Sequence, residues 1–140
     1  MAEKYSTLSA DETESVAAAF AERLMPGDFV ALYGELGSGK TAFVRGMASR
    51  LTPGARVSSP TYALVNVYEG DKFILCHFDM YRIHGEDDLY SIGFWDYNDC
   101  ILAVEWAENI PFALPRKYYS VVISKTGADS REITIEEREN

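Results

Sequence analysis

Apolar residues in this chain fall in short runs separated by glycine, proline and acidic clusters, and the period of those runs changes along it. Ser9 followed by Asp11, Glu12 and Glu14 has the form of a helix start, a small polar cap with acids in the first turn. That helix is expected to run through Val16, Phe20 and Leu24 and to stop at Met25-Pro26-Gly27. Residues 28–33 carry Phe29, Val30, Ala31 and Leu32 in one unbroken run, as a strand covered on both faces does. A second helix follows residue 41 and ends near Pro53-Gly54. Residues 57–61 read as a loop in which Pro60 holds Ser59 extended. Residues 62–68 and 72–79 read as strands, and the Glu69-Gly70-Asp71 link is short enough to make them an antiparallel hairpin. Asp87 and Asp88 open a short helix, and residues 100–104 form another fully apolar strand. Residues 120–124 and 131–135 bracket a turn at Gly127 and close the sheet as a hairpin, with residues 136–140 expected as a frayed tail.

The 140 residues are enough for one domain spanning residues 1–140, able to bury about two-thirds of its unfolded surface. No apolar run reaches the ~20 residues of a bilayer span, and the N-terminal residues lack the apolar core of a secretion signal. Ala2 stands where N-myristoylation needs glycine, so a cytoplasmic location is expected. Cys76 and Cys100 have no metal-ligand spacing and read as small core hydrophobes. His77 and His84 share no ligand spacing either, and His77 reads as a sheet residue. With 22 acids against 13 bases, and only Arg116-Lys117 as a basic pair, the chain lacks the basic stripe that direct nucleic-acid binding requires.

The chemistry is concentrated between the first apolar strand and the second helix. Gly34-Glu35-Leu36-Gly37-Ser38-Gly39-Lys40-Thr41 fits G-x-x-x-x-G-K-[ST]. Its glycines allow backbone N–H groups to turn inward as a nest for phosphate oxygens, and the helix that begins there adds its positive dipole end. Lys40 reaches the terminal phosphates as a point charge, and the Thr41 hydroxyl is placed for Mg²⁺. Part of the same loop, from Gly37 to Ala42, also fits a dinucleotide fingerprint. That pattern wants an acid about 20 positions on, and Ser59-Pro60-Thr61-Tyr62 supplies none before Glu69. A strand, this loop and a helix indicate an α/β chain with a P-loop NTPase-like three-layer sandwich around a mixed parallel/antiparallel central sheet.

Two further strands end in an acid, at Asp79 and at Glu105. Ligands of open α/β sheets bind beyond the carboxyl ends of the strands, so both acids are expected beside the phosphate loop. Asp79 is the expected second magnesium contact, and Glu105 either ligates the metal or positions the attacking water; the sequence leaves that division open. Ser59-Pro60-Thr61 lies where a switch segment sits in nucleotide hydrolases. No Asn-Lys-x-Asp element supports guanine, and no cluster of lid arginines supports a kinase, although the same loop and acids leave a small-molecule or protein kinase as the alternative. Arg82 is the nearest cation for transition-state charge.

With these segments placed, the chain resembles the TsaE (YjeE) family of small bacterial P-loop ATPases. The resemblance rests on the phosphate loop, Ser59-Pro60-Thr61-Tyr62, His77-Phe78-Asp79-Met80-Tyr81-Arg82, Asp88-Leu89-Tyr90-Ser91-Ile92-Gly93 and Val104-Glu105-Trp106. It implies ATP and Mg²⁺ binding with weak hydrolysis by the isolated chain, through catalytic Lys40, Asp79 and Glu105. It further implies TsaB and TsaD as protein partners in threonylcarbamoyl transfer to the adenosine beside the anticodon of ANN-decoding tRNAs, with tRNA met only through the complex. In family terms Glu35, Leu36, Gly37, Ser38, Gly39, Lys40, Thr41 and Ala42 hold the nucleotide. Thr41, Asp79 and Glu105 hold the metal, Trp106 lies beside the nucleotide, and Thr61 belongs to a mobile loop. Glu12 and Thr13 correspond loosely to an element near the adenine. Glu35 replaces a common aspartate and Met80 a commoner leucine, neither of which alters the chemistry.

Overall fold

The computed structural model describes residues 2–60 and 64–140. Strands β1 (Ala2–Thr7), β2 (Phe29–Tyr33), β3 (Val65–Glu69), β4 (Ile74–Asp79), β5 (Ile101–Glu105), β6 (Lys117–Lys125) and β7 (Arg131–Glu139) form one sheet in the order β1-β7-β6-β2-β5-β4-β3. Helices α1 (Ala10–Ala21), α2 (Lys40–Leu51) and α3 (Glu86–Ser91) complete the chain, with single 3-10 turns at Phe94–Asp96, Ala107–Asn109 and Pro111–Ala113. Parallel pairing joins β6, β2, β5 and β4, whereas β3–β4, β6–β7 and β1–β7 are antiparallel. The sheet is therefore mixed, as the apolar pattern indicates. Its unbroken apolar strands, β2 and β5, lie inside it with both faces covered.

The pleat sends alternate residues to two separate cores. Val30, Leu32, Leu75, Ile101 and Ala103 pack with Phe20, Phe43, Val44 and Met47 of α1 and α2. Phe29, Ala31, Cys76, Phe78, Leu102 and Val104 pack with Leu89, Phe94 and Ile110 on the opposite face. This gives three layers, the second helical layer being α3 and short turns rather than long helices. The fully buried Phe43 and Met47 each contribute about 1.5–3 kcal/mol relative to exposure. The half-exposed Arg45–Glu14 pair between the same helices is worth at most ~1 kcal/mol, so apolar burial sets their packing. Gly46 permits the close approach, since a Cβ there would stand 2.3 Å from the Glu14 carbonyl oxygen and 2.7 Å from Ala17 Cβ.

Several element bounds differ from the sequence reading, three of them with structural consequence. α1 ends at Ala21, and residues 22–24 continue it only through i→i−3 bonds, Glu22 to Ala19, Arg23 to Phe20 and Leu24 to Ala21. β1 lies where the apolar pattern assigns no element: it is a polar edge strand held along β7 from Ala2↔Glu136 to Thr7↔Arg131. Residues 136–139 are not a frayed tail but the end of β7, where Glu139 lies opposite Lys117, and Asn140 bonds back to Arg116 and Pro115. The hairpin expected from residues 62–68 and 72–79 is present as β3 and β4, with residues 62 and 63 outside the described residues. Among the described residues no helix is long and apolar enough to cross a membrane.

Candidate functional site

Sheet register brings the chemistry together. In the parallel β4–β5 ladder Asp79 lies opposite Glu105, each the last residue of its strand. By the pleat, Leu75, His77 and Asp79 share one face with Ile101, Ala103 and Glu105, which is the face that α2 covers. The first turn of α2 therefore meets both carboxylates, and the Thr41 hydroxyl donates to Glu105 Oε2 at 3.2 Å. Asp79 Oδ1 accepts from the Tyr81 amide at 2.9 Å, and the Met80 amide donates to the Glu105 carbonyl at 3.0 Å, so the strand ends are fixed to each other. Asn109 Nδ2 donates to the Met80 carbonyl and holds the turn beyond β5 against the same corner.

The cleft above this corner has a volume of about 320 Å³ and is lined by residues 36–41 with Ser59, Asp79, Glu105 and Trp106. The loop cannot carry a side chain at residue 34, where a Cβ would lie 2.5 Å from Ser38 Oγ and 2.6 Å from the Ile123 carbonyl oxygen. Ser38 Oγ is buried without a hydrogen-bond partner, an orphaned polar atom in the wall of the glycine-rich loop. Lys40 is 5% exposed and crosses the cleft: its ammonium donates to the Gly34 carbonyl and sits 4.1 Å from the Trp106 ring centroid. Burial lowers its pKa from the ordinary lysine value, while Glu105, Glu108 and Asp79 pull it back up. Trp106 itself occupies left-handed backbone at φ 57° directly after Glu105 and packs on Tyr81 with ring centroids 5.0 Å apart. A non-glycine residue held in that conformation is a local cost that the surrounding contacts sustain.

Hard oxygen donors at the foot of an anion nest suit a small divalent cation with few protein ligands. The hydroxyl of Thr41 and the Glu105 and Asp79 carboxylates fit magnesium on that ground. Glu105 also accepts from the fully buried His77 Nε2 at 2.5 Å.

A second, smaller cavity of about 80 Å³ lies across the loop, between the start of α1 and the β6–β7 turn, lined by Ala10, Thr13, Gly39, Ala42, Asp129 and Arg131. Thr13 is thus beside the loop, buried with its hydroxyl 2.8 Å from that of Thr7. Glu12 is not in the wall of either cavity. Its carboxylate accepts from the Leu8 amide while Ser9 Oγ accepts from the Glu12 amide, so it serves the start of α1. Glu35 and Leu36 are exposed, and of the two only Leu36 lines the cleft. Thr61 lies outside the described residues. Arg82 is exposed on the turn after β4.

Two residues at the site escape the sequence reading. Arg131 reaches over from β7, its Nε donating to the Ser38 carbonyl at 2.7 Å and its Nη2 to that of Gly37 at 3.3 Å. It also donates to Gly127, Ala128 and Ser130, tying the hairpin turn to the loop. No local motif marks it, because it is 93 residues from Ser38. His77 was legible as a sheet residue, but its partner Glu105 is 28 residues away.

Known proteins resemble this chain over most of its length. The family model "Threonylcarbamoyl adenosine biosynthesis protein TsaE" matches residues 7–133. The tRNA threonylcarbamoyladenosine biosynthesis protein TsaE of Bacillus subtilis (strain 168) is 35% identical over 131 residues, covering 94% of this chain and 83% of that protein. Its counterpart in Treponema pallidum (strain Nichols) is 33% identical over 91% of this chain and 95% of that protein. That of Aquifex aeolicus (strain VF5) is 43% identical over 71% and 73% respectively. Among solved structures, the crystal structure of Bacillus subtilis YdiB matches with a TM-score of 0.80 at 33% identity, over 100% of this chain and 87% of that one.

Proposed function

The chain belongs to the TsaE family, and we propose that within it this protein is a magnesium-dependent P-loop ATPase whose cycle supports threonylcarbamoyl transfer to tRNA, acting with TsaB and TsaD. The family's place in tRNA threonylcarbamoyladenosine biosynthesis carries the pathway; the cleft supports the ATPase reading. The observation that carries it is the convergence of Thr41, Glu105 and Asp79 at the mouth of a glycine loop that also presents Lys40.

In this reading residues 36–42 receive the phosphates, and Lys40 turns from the Gly34 carbonyl toward them. The attraction of an incoming polyphosphate replaces one hydrogen bond and a cation–π contact with charge-assisted bonds. Magnesium, when bound, neutralises charge on the β- and γ-phosphates. Thr41 and Glu105 are already oriented toward each other for it, and Asp79 borders the same space. Of the two acids, Glu105 touches Thr41 and is the direct ligand or the water-positioning base, while Asp79 acts through solvent. The adenine is assigned to the side of the loop where Thr13, Ala42 and Arg131 line the second cavity, and Trp106 closes the phosphate side. The acid excess fits a subunit that leaves tRNA contact to its partners.

Calorimetry should detect magnesium-dependent adenine-nucleotide binding by the isolated protein and slow release of free phosphate from ATP, accelerated by TsaB and TsaD. Label from the γ-phosphate appearing in an acceptor molecule would favour a kinase instead. Lys40→Ala should abolish tRNA-modifying turnover in the reconstituted system. Full turnover with that variant would overturn the proposal.

A further inference from the structure

The buried imidazole behind Glu105 has a second neighbour that the proposed ATPase does not use. On the face of the sheet that α2 covers, the β3–β4 register sets Asn66 opposite His77 and Tyr68 opposite Leu75. The Tyr68 hydroxyl lies 3.4 Å from His77 Nδ1. The same hydroxyl is 3.3 Å from both the amide nitrogen and the carbonyl oxygen of Ser58, and Asn66 Nδ2 donates to that carbonyl at 3.0 Å. The single Tyr68 proton has two acceptors within reach, the Ser58 carbonyl and His77 Nδ1. Since Asn66 already donates to that carbonyl, one direction runs through the network from the Ser58 amide to Tyr68 oxygen, Tyr68 O–H to His77 Nδ1, and His77 Nε2–H to Glu105. The Nε2–H tautomer is the one a carboxylate at Nε2 selects. Ser58 adjoins Ser59, which lines the cleft.

We propose that His77 is a positioning residue for Glu105, and that with Tyr68 it couples the magnesium carboxylate to the backbone at Ser58. The inference rests on reading Glu105 as a magnesium-site residue. A carboxylate bonded by Thr41 alone could swing about its side-chain torsions; His77 fixes Oε2 in the corner. The 2.5 Å link at Glu105 is tight, and those at Tyr68 are long. The Tyr68 end is therefore where the chain parts first, and a shift of Glu105 onto a cation is felt at Ser58. A histidine serving only as core would be paired merely to satisfy its buried ring nitrogens, and its loss would act on stability alone.

Tyr68→Phe keeps the ring and removes only the relay hydroxyl; His77→Gln keeps a donor for Glu105 and shortens the reach to Tyr68. Cys76→Ala, on the opposite face of β4, is the control for simple loss of packing. Titration of magnesium into each protein with ADP, and backbone hydrogen exchange across residues 57–60, are measured together. Tyr68→Phe and His77→Gln should raise the magnesium concentration for half-maximal ADP binding about ten-fold, as loss of outer-shell partners does, with magnesium-free ADP binding unchanged. Exchange at residues 57–60 should slow when magnesium is added to the wild type and cease to respond in both variants, while Cys76→Ala responds like wild type. Wild-type magnesium dependence in both relay variants would overturn the proposal. A second arm needs no nucleotide: in the free protein, Glu105→Gln should change exchange at residues 57–60, and Tyr68→Phe should abolish the difference. If the wild type binds no ADP at all, the ATPase reading fails, and this arm alone still decides the relay.

Discussion

At the scale of single residues, Lys40 shows how function and stability pull apart. Its side chain is largely covered where it crosses the cleft, and burial holds its pKa below the ordinary lysine value despite three nearby acids. In the free protein that charge is a burden, since a methionine of similar length would keep the packing on Trp106 without desolvating a cation. Lys40→Met is therefore expected to melt at or above the wild-type temperature near neutral pH, while losing at least about ten-fold in nucleotide affinity with the charge-assisted phosphate bonds. The pH dependence has a definite sign. A lysine with a depressed folded pKa binds fewer protons folded than unfolded in the window between its two pKa values, so wild-type stability rises with pH there. The advantage of Lys40→Met should shrink as pH climbs through the alkaline range below the ordinary lysine pKa; thermal melts of both proteins across that range check it. An advantage that grows with pH would contradict the assigned cause. Glu12 teaches a complementary point: a carboxylate that the resemblance places loosely near the adenine accepts from the amide of Leu8 at a helix start.

At the scale of elements, the phosphate loop is held from two directions, and only one of them is local. β2 and α2 flank it in sequence, which is why the apolar run and the glycine pattern make it legible without coordinates. The other support is the β6–β7 hairpin, through Arg131 and the carbonyls of Ser38 and Gly37. Removing a charged donor from a partly buried carbonyl costs about 1.5–3 kcal/mol, and Arg131→Ala also frees the turn at Gly127. The variant should lose roughly that much stability in urea unfolding and bind adenine nucleotide about ten-fold more weakly. Arg131→Lys should recover little, because a single ammonium cannot serve the loop and the turn with a planar fork. Asp79 and Glu105 were legible because strand-end acids after apolar runs fall at the sheet's carboxyl edge whatever the strand order. Arg131 and the His77–Glu105 pair were not, because their partners are set by register between strands far apart in sequence, which no window of residues contains.

At the scale of the whole molecule, the sheet is an inner parallel set of β6, β2, β5 and β4, with the site at its carboxyl edge, extended antiparallel by β7 and β1 on one side and by β3 on the other. The inner strands announce themselves by apolar runs. The outer ones do not: β1 and the end of β7 are largely polar, and their order comes from backbone ladders and cross-strand pairing such as Lys117 with Glu139. The bidentate Arg23–Glu3 contact adds a tie between α1's end and β1, with distances of 2.7 and 3.0 Å. Composition alone makes residues 136–140 look like a solvated tail, and for such a tail deletion is free. In the folded chain, residues 136–139 pair with residues 117–120 of β6, whose next neighbour, Tyr119↔Val30, is the central strand. Deleting residues 136–140 would strip the partner from that stretch and leave an open edge beside the parallel core. At about 0.5–1.5 kcal/mol per net backbone hydrogen bond, loss of a few ladder bonds should lower unfolding free energy by roughly 2–4 kcal/mol. The proposed nucleotide cleft lies at the opposite end of β6, near Ile123, whose carbonyl abuts the loop, so affinity for adenine nucleotide in the surviving folded fraction should stay near wild type. A truncated protein with an unchanged urea midpoint would return residues 136–140 to the status of a tail. A midpoint that falls with affinity preserved would show that the polar strands stabilise the sheet without shaping the site.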